Sequence, residues 1–90
     1  MDNLSASDTF IVHSTYDESY RALVAQLKAA RRRLNLTQTE AGKLVCKSRC
    51  WLSKVEACEI KLDVLYFARL CKALGIKTGR LIRQLEQGLC

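Results

Sequence analysis

Residues 36–56 run Leu36-Thr-Gln-Thr-Glu-Ala-Gly-Lys-Leu-Val-Cys-Lys-Ser-Arg-Cys-Trp-Leu-Ser-Lys-Val-Glu56 and hold two helix starts, at Thr37 and Ser48. Thr37-x-x-Glu40 is a capping box, in which threonine oxygen and glutamate carboxylate each accept the other residue's backbone amide. The helix it opens has room for barely two turns before Leu44 or Val45. Ser48 caps a longer helix with Leu52 and Val55 facing inward and Arg49, Cys50, Ser53 and Lys54 outward. The pattern is a short helix, a turn of a few residues, and a second helix with a polar, cationic outer side.

Working outward, Thr15-x-x-Glu18 fits another capping box. Tyr20, Leu23, Val24, Leu27, Ala30, Arg31 and Leu34 follow at 3/4 spacing, predicting an amphipathic first helix that stops at Asn35. Arg32 and Arg33 fall outside that stripe. Downstream, Asp63 is an N-cap with Leu62 and Phe67 in hydrophobic-staple positions. Its helix is expected to bury Val64, Phe67, Ala68, Cys71 and Leu74 and to end at Gly75. Thr78 caps a fifth helix with Leu81, Ile82 and Leu85 on its apolar face. There is no proline, and the four glycines stand singly, so the expected fold is all-α: five short helices with connections of about two to six residues. Thr9-Phe10-Ile11-Val12 is the only strand-like run. The expected organisation is a flexible or strand-like N-terminal segment over residues 1–15 and one domain over residues 16–87.

Ninety residues suffice for one compact domain. Fifteen Lys and Arg against nine Asp and Glu give a net charge of +6, unevenly spread. Residues 1–18 contain Asp2, Asp8, Asp17 and Glu18 and no base, a net of -4, which leaves +10 on residues 19–90. So basic a domain points to a polyanion, and phosphate backbones are the commonest one. No apolar run approaches the ~20 residues needed to cross a bilayer. Met1-Asp2-Asn3-Leu4-Ser5 lacks the basic and apolar parts of a secretory signal, so the expected location is the cytoplasm, with no membrane partner. Five cysteines (Cys46, Cys50, Cys58, Cys71 and Cys90) make an odd set without a CxxC pair, which argues against a disulfide framework.

The segment resembles the Cro/Xre-type (lambda-repressor-like) helix-turn-helix family of DNA-binding transcriptional regulators. The resemblance rests on Arg31, Thr37-Gln38 and Leu52-Ser53-Lys54-Val55-Glu56, extends through Glu59-Ile60-Lys61-Leu62-Asp63-Val64 and Ala73-Leu74-Gly75-Ile76, and covers roughly residues 16–86. It implies a five-helix DNA-binding domain, double-stranded DNA as partner, and a dimer on half-sites about one helical turn, ~34 Å, apart. The first helix of the motif braces across the backbone while the second enters the major groove, its N-terminal side chains at base edges. Arg49, Cys50 and Lys54 are then the base-reading candidates, Arg49 by a bidentate bond to guanine and Cys50 against a thymine methyl. Gln38, Lys47, Ser48, Trp51, Ser53 and Lys61 are candidate phosphate or sugar contacts. For Trp51, half-buried packing beneath the helix is the preferred reading over stacking on sugar or flanking a base. Arg31 lies on the apolar stripe and Glu56 closes the reading helix, so the two suit a partly buried ion pair, which the resemblance also implies. The chain departs from the family at Ala41-Gly42, where Leu-Ala is usual. It departs again at Cys46 and Cys58, where glycine is usual, and at Arg49-Cys50, where glutamine and serine are common.

Other functions have less support. A metal centre needs ligands at tighter spacing than Cys46, Cys50 and Cys58, and the only histidine, His13, is distant; no metal or cofactor is expected. Paired carboxylates, a Cys-His couple and a phosphate-cradling glycine loop are missing, so no enzyme activity is expected. The competing readings are an antitoxin with a toxin as protein partner, another protein-interaction module on the same fold, or a thiol sensor. Helix five (Leu81, Ile82, Leu85, with Leu89) is the first candidate for a dimer face and Phe10-Ile11-Val12 the second.

Overall fold

The computed structural model describes residues 17–89. They form five helices and no strand: α1 (Glu18–Arg33), α2 (Gln38–Leu44), α3 (Arg49–Glu56), α4 (Val64–Ala73) and α5 (Thr78–Gly88). The strand-like run Thr9–Val12, His13, Thr15 and Cys90 lie outside the described residues.

Helix starts follow local chemistry. Asp17, not Thr15, caps α1, accepting the amides of Ser19 and Tyr20 at 2.8 and 3.2 Å; its carboxylate directly precedes the first helical residue. Thr37 and Glu40 form the reciprocal capping box of α2. Ser48 caps α3 and Asp63 caps α4 through the amides of Trp51 and Tyr66. At α5 the expected cap shifts by one: Lys77 holds the N-cap position without a side-chain bond, and Thr78 is the first helical residue.

Helix ends share one geometry. Asn35, Cys46, Cys58 and Gly75 stand two residues past α1 to α4, with φ of 57°, 60°, 59° and 73°. Each donates its amide to the carbonyl three residues back: Arg32, Lys43, Val55 and Lys72. The following residue donates five back, to Arg31, Gly42, Lys54 and Cys71. This is the Schellman arrangement, in which a left-handed residue caps the last carbonyls. The two cysteines occupying glycine positions therefore keep the glycine turn. Gly42 has a packing role: a Cβ there would stand 2.8 Å from the Lys47 carbonyl oxygen. The turn between α2 and α3 thus approaches the helix where a side chain would interfere, which offsets the roughly 1 kcal/mol by which glycine weakens a helix interior.

Leu23, Val24, Leu27 and Ala30 of α1 meet Ala41, Val45, Leu52, Val55, Phe67, Leu70, Leu74 and Leu81 in one core. Four expectations of burial are corrected. Leu34 is half exposed because α1 has already ended at Arg33. Val64, 83% exposed, and Ala68 face solvent, because α4 turns Phe67, Leu70 and Cys71 inward and leaves its first residue beyond the core. Ile82 is also partly exposed, at 39%, while Leu81 is buried. Tyr20 ties α1 to the segment after α3: its hydroxyl accepts the Leu62 amide at 3.0 Å and donates to the Ile60 carbonyl at 3.4 Å. Among the described residues no helix is long and apolar enough to cross a membrane.

Candidate nucleic-acid interface

α2 and α3 pack closely against each other, and α3 also rests on α1. Their relative position is fixed by a polar network at the base of the motif. Arg31 Nε donates to Glu56 Oε2 at 2.6 Å, and its Nη2 donates to Oε1 at 3.0 Å. Arg31 Nη1 donates to the Leu36 carbonyl at 2.7 Å, and Gln38 Nε2 donates to Glu56 Oε1 at 2.9 Å. The arginine and glutamate side chains are 10% and 5% exposed, so a fork-to-fork pair is held with little water around it. Burial pushes the Glu56 carboxyl up. Hydrogen bonds from Arg31 and Gln38, with the charges of Arg31 and Lys28, outweigh that and hold it below its ordinary range. One side of α3 is thereby anchored through α1, the connection to α2, and the first turn of α2.

The face of α3 turned away from Leu52 and Val55 is open. Arg49, Cys50 and Lys54 are exposed, and Ser53 is half-buried. Ser48 is exposed, with its Oγ already accepting the Trp51 amide at 3.1 Å; the hydroxyl proton remains available to an oxygen acceptor. Lys61 is exposed on the segment that follows α3. Gln38 is half-buried, because its amide nitrogen turns in toward Glu56. That nitrogen carries two hydrogens, so one contact inward leaves a second donor.

Trp51 and Lys47 sit differently from a simple outward row. Trp51 is half-buried and meets Tyr66 of α4 edge-on, with centroids 5.5 Å apart. Lys47 Nζ lies 4.5 Å from the centre of the Tyr66 ring and 5.5 Å from that of Trp51. Arg69 approaches the same tyrosine at 5.0 Å. Sequence reasoning missed Tyr66 and Arg69; their three-residue spacing on one helix, which makes them neighbours on its surface, was the available signal. Cys46 and Cys50 are exposed free thiols, and Cys58 and Cys71 are buried ones. Among the described residues no group of three or more His, Cys, Asp or Glu could hold a metal ion.

The sequence matches the family described as helix-turn-helix domain over residues 22–88. No curated protein matches it. The fold is similar to a solved structure described as an XRE-family like protein from Pseudomonas syringae pv. tomato str. DC3000. The TM-score is 0.71 and the identity 29%, over 92% of this chain and 96% of that one. The family match takes in α1 from Ala22 onward and all of α2, the turn, α3, α4 and α5, with a similar fold in the solved relative. The chain belongs to the helix-turn-helix family of Cro/Xre type, a family of DNA-binding regulators.

Proposed function

We propose that the protein is a sequence-specific transcriptional repressor of the cytoplasm that lays α3 in the major groove as a dimer on a two-fold operator. The observation that carries this reading is the exposure of Arg49, Cys50 and Lys54 on a helix whose last residue, Glu56, is anchored by Arg31 and Gln38. A groove-reading helix needs both, since base-edge hydrogen bonds demand a fixed approach. Arg49 and Lys54 are the hydrogen-bonding readers, and Cys50 is short enough to meet a thymine methyl. Gln38, Lys47, Ser48, Trp51, Ser53 and Lys61 supply the backbone contacts that set register. Repression follows from occupancy of the operator. The dimer face is the outer side of α5, where Ile82 and Leu89 are 39% and 56% exposed; Leu81 is spent in the core.

Selection of duplexes from a random pool at two salt concentrations tests the proposal. Two-fold symmetric sites are expected, with log affinity falling against log salt by ~0.9 for each phosphate neutralised. Arg49→Ala is expected to relax the preference at one base position by ~1–3 kcal/mol. A pool that shows no enrichment, or binding indifferent to both salt and Arg49→Ala, rejects the reading in favour of a protein-interaction module.

A further inference from the structure

We infer that Arg69 and Tyr66 of α4, together with Lys47, form a second contact patch for the DNA phosphate backbone, outside the recognition helix. The inference rests on the DNA-binding reading above and extends it to a helix that reading leaves unused.

Lys47 and Arg69 both lie over the Tyr66 ring, at 4.5 and 5.0 Å from its centre. Their charges are therefore within about 10 Å of each other, inside the Debye length at physiological salt or close to it. Among the described residues neither forms an ion pair with a carboxylate; Arg31–Glu56 is the pair present there. Two cations gathered on one ring without a counter-charge repel each other, and an arriving anion relieves that repulsion. Lys72 adds a third positive charge, beside Arg69 along an open cleft that α4 shares with Leu44, Val45 and Cys46 at the end of α2.

Two features identify the anion as a duplex backbone. The patch is continuous with the groove-facing surface: Lys47 directly precedes the Ser48 cap of α3, and Trp51, in the first turn of α3, meets Tyr66 edge-on. Lys47 and Arg69 thus stand beside the N-terminal end of α3, where a backbone flanking the groove would pass. The cations also occupy the tyrosine ring, so an unpaired base cannot use that face as a stacking platform. What the patch offers is charge held at fixed points, which positions DNA without reading sequence. The rings act on the lysine and arginine by limiting their rotamers, so less freedom is lost when a phosphate is bound.

The test uses the full chain, a duplex selected from the random pool and a mixed-sequence duplex, each titrated over a series of salt concentrations. Lys47→Gln and Arg69→Gln should each weaken both duplexes by the same factor, leave their ratio unchanged, and lower the log–log salt slope by ~0.9. Tyr66→Leu retains both charges, so it should weaken both duplexes while keeping the wild-type slope. Melting curves establish that each variant is folded; Arg69→Gln, on the helix surface, is the decisive one. An Arg69→Gln protein with wild-type slope and affinity, in a chain whose preference still depends on Arg49, rejects this patch alone. If the wild-type chain shows no Arg49-dependent preference, the regulator reading has failed first. Loss of polyglutamate binding by Arg69→Gln with DNA binding intact assigns the patch to an acidic protein segment and overturns the inference.

Discussion

Glu56 shares its carboxylate between the core-facing Arg31 and the surface-side Gln38, so one side chain serves both folding and the presentation of α3. Its folded pKa lies below the ordinary value of 4.5, and the unfolded chain therefore takes up the proton first. The contribution is complete above the unfolded value and fades as pH falls through the folded one. Glu56→Ala is expected to cost ~3–5 kcal/mol near neutral pH, because it strands the buried Arg31 charge. Chemical denaturation should also show a flatter acid limb than the wild type; equal stability at neutral pH would remove the network from the account. Arg31 and Glu56 were legible in the sequence, one as a base on an apolar stripe and the other as the last residue of a helix. Gln38 as the third partner was not. An amide on a helix's first turn chooses between solvent and a neighbouring helix by interhelical distance, which no local pattern records.

At the scale of elements, the capping chemistry was the most legible part, because caps depend on residues within four positions of each other. Thr37, Ser48 and Asp63 all stand at their helix starts. Thr78 was misread by one position: it is the first helical residue, and Lys77 before it makes no side-chain cap bond. Val64 and Ala68 were misread because an apolar run on α4 is wider than the stripe the core accepts. The ends of α2 and α3 hold the least expected feature, cysteine in the left-handed conformation that glycine adopts freely. Cys46 is exposed, so its side chain contributes little packing to offset that conformation, which costs roughly 1–2 kcal/mol for a residue with a Cβ. Cys46→Gly should therefore stabilise the protein, by about 0.5–1 kcal/mol after the greater freedom of glycine in the unfolded chain is deducted. A lowered melting temperature would mean that the thiol makes a compensating contact.

For the molecule as a whole, the five-helix architecture was readable from periodicity, few breakers and the spacing of helix starts. The association face was not, since exposed apolar residues belong to folding and assembly alike. Val64, Leu65, Ile82 and Leu89 all remain exposed in the single chain. Ile82→Asp is expected to give monomers in sedimentation velocity with an unchanged fold by circular dichroism; persistent dimers would move the interface off α5. Weaker DNA binding by that variant at low protein concentration, recovered at high concentration, would link assembly to operator occupancy. The Tyr20 hydroxyl, bonded on both sides to the backbone at Ile60 and Leu62, has a consequence for how the parts move. These bonds flank Lys61, so fraying at the start of α1 would loosen the segment that carries this exposed charge. With Lys61 on phosphate as proposed, loosening the first turn of α1 would weaken the hold on a duplex from a place outside the interface.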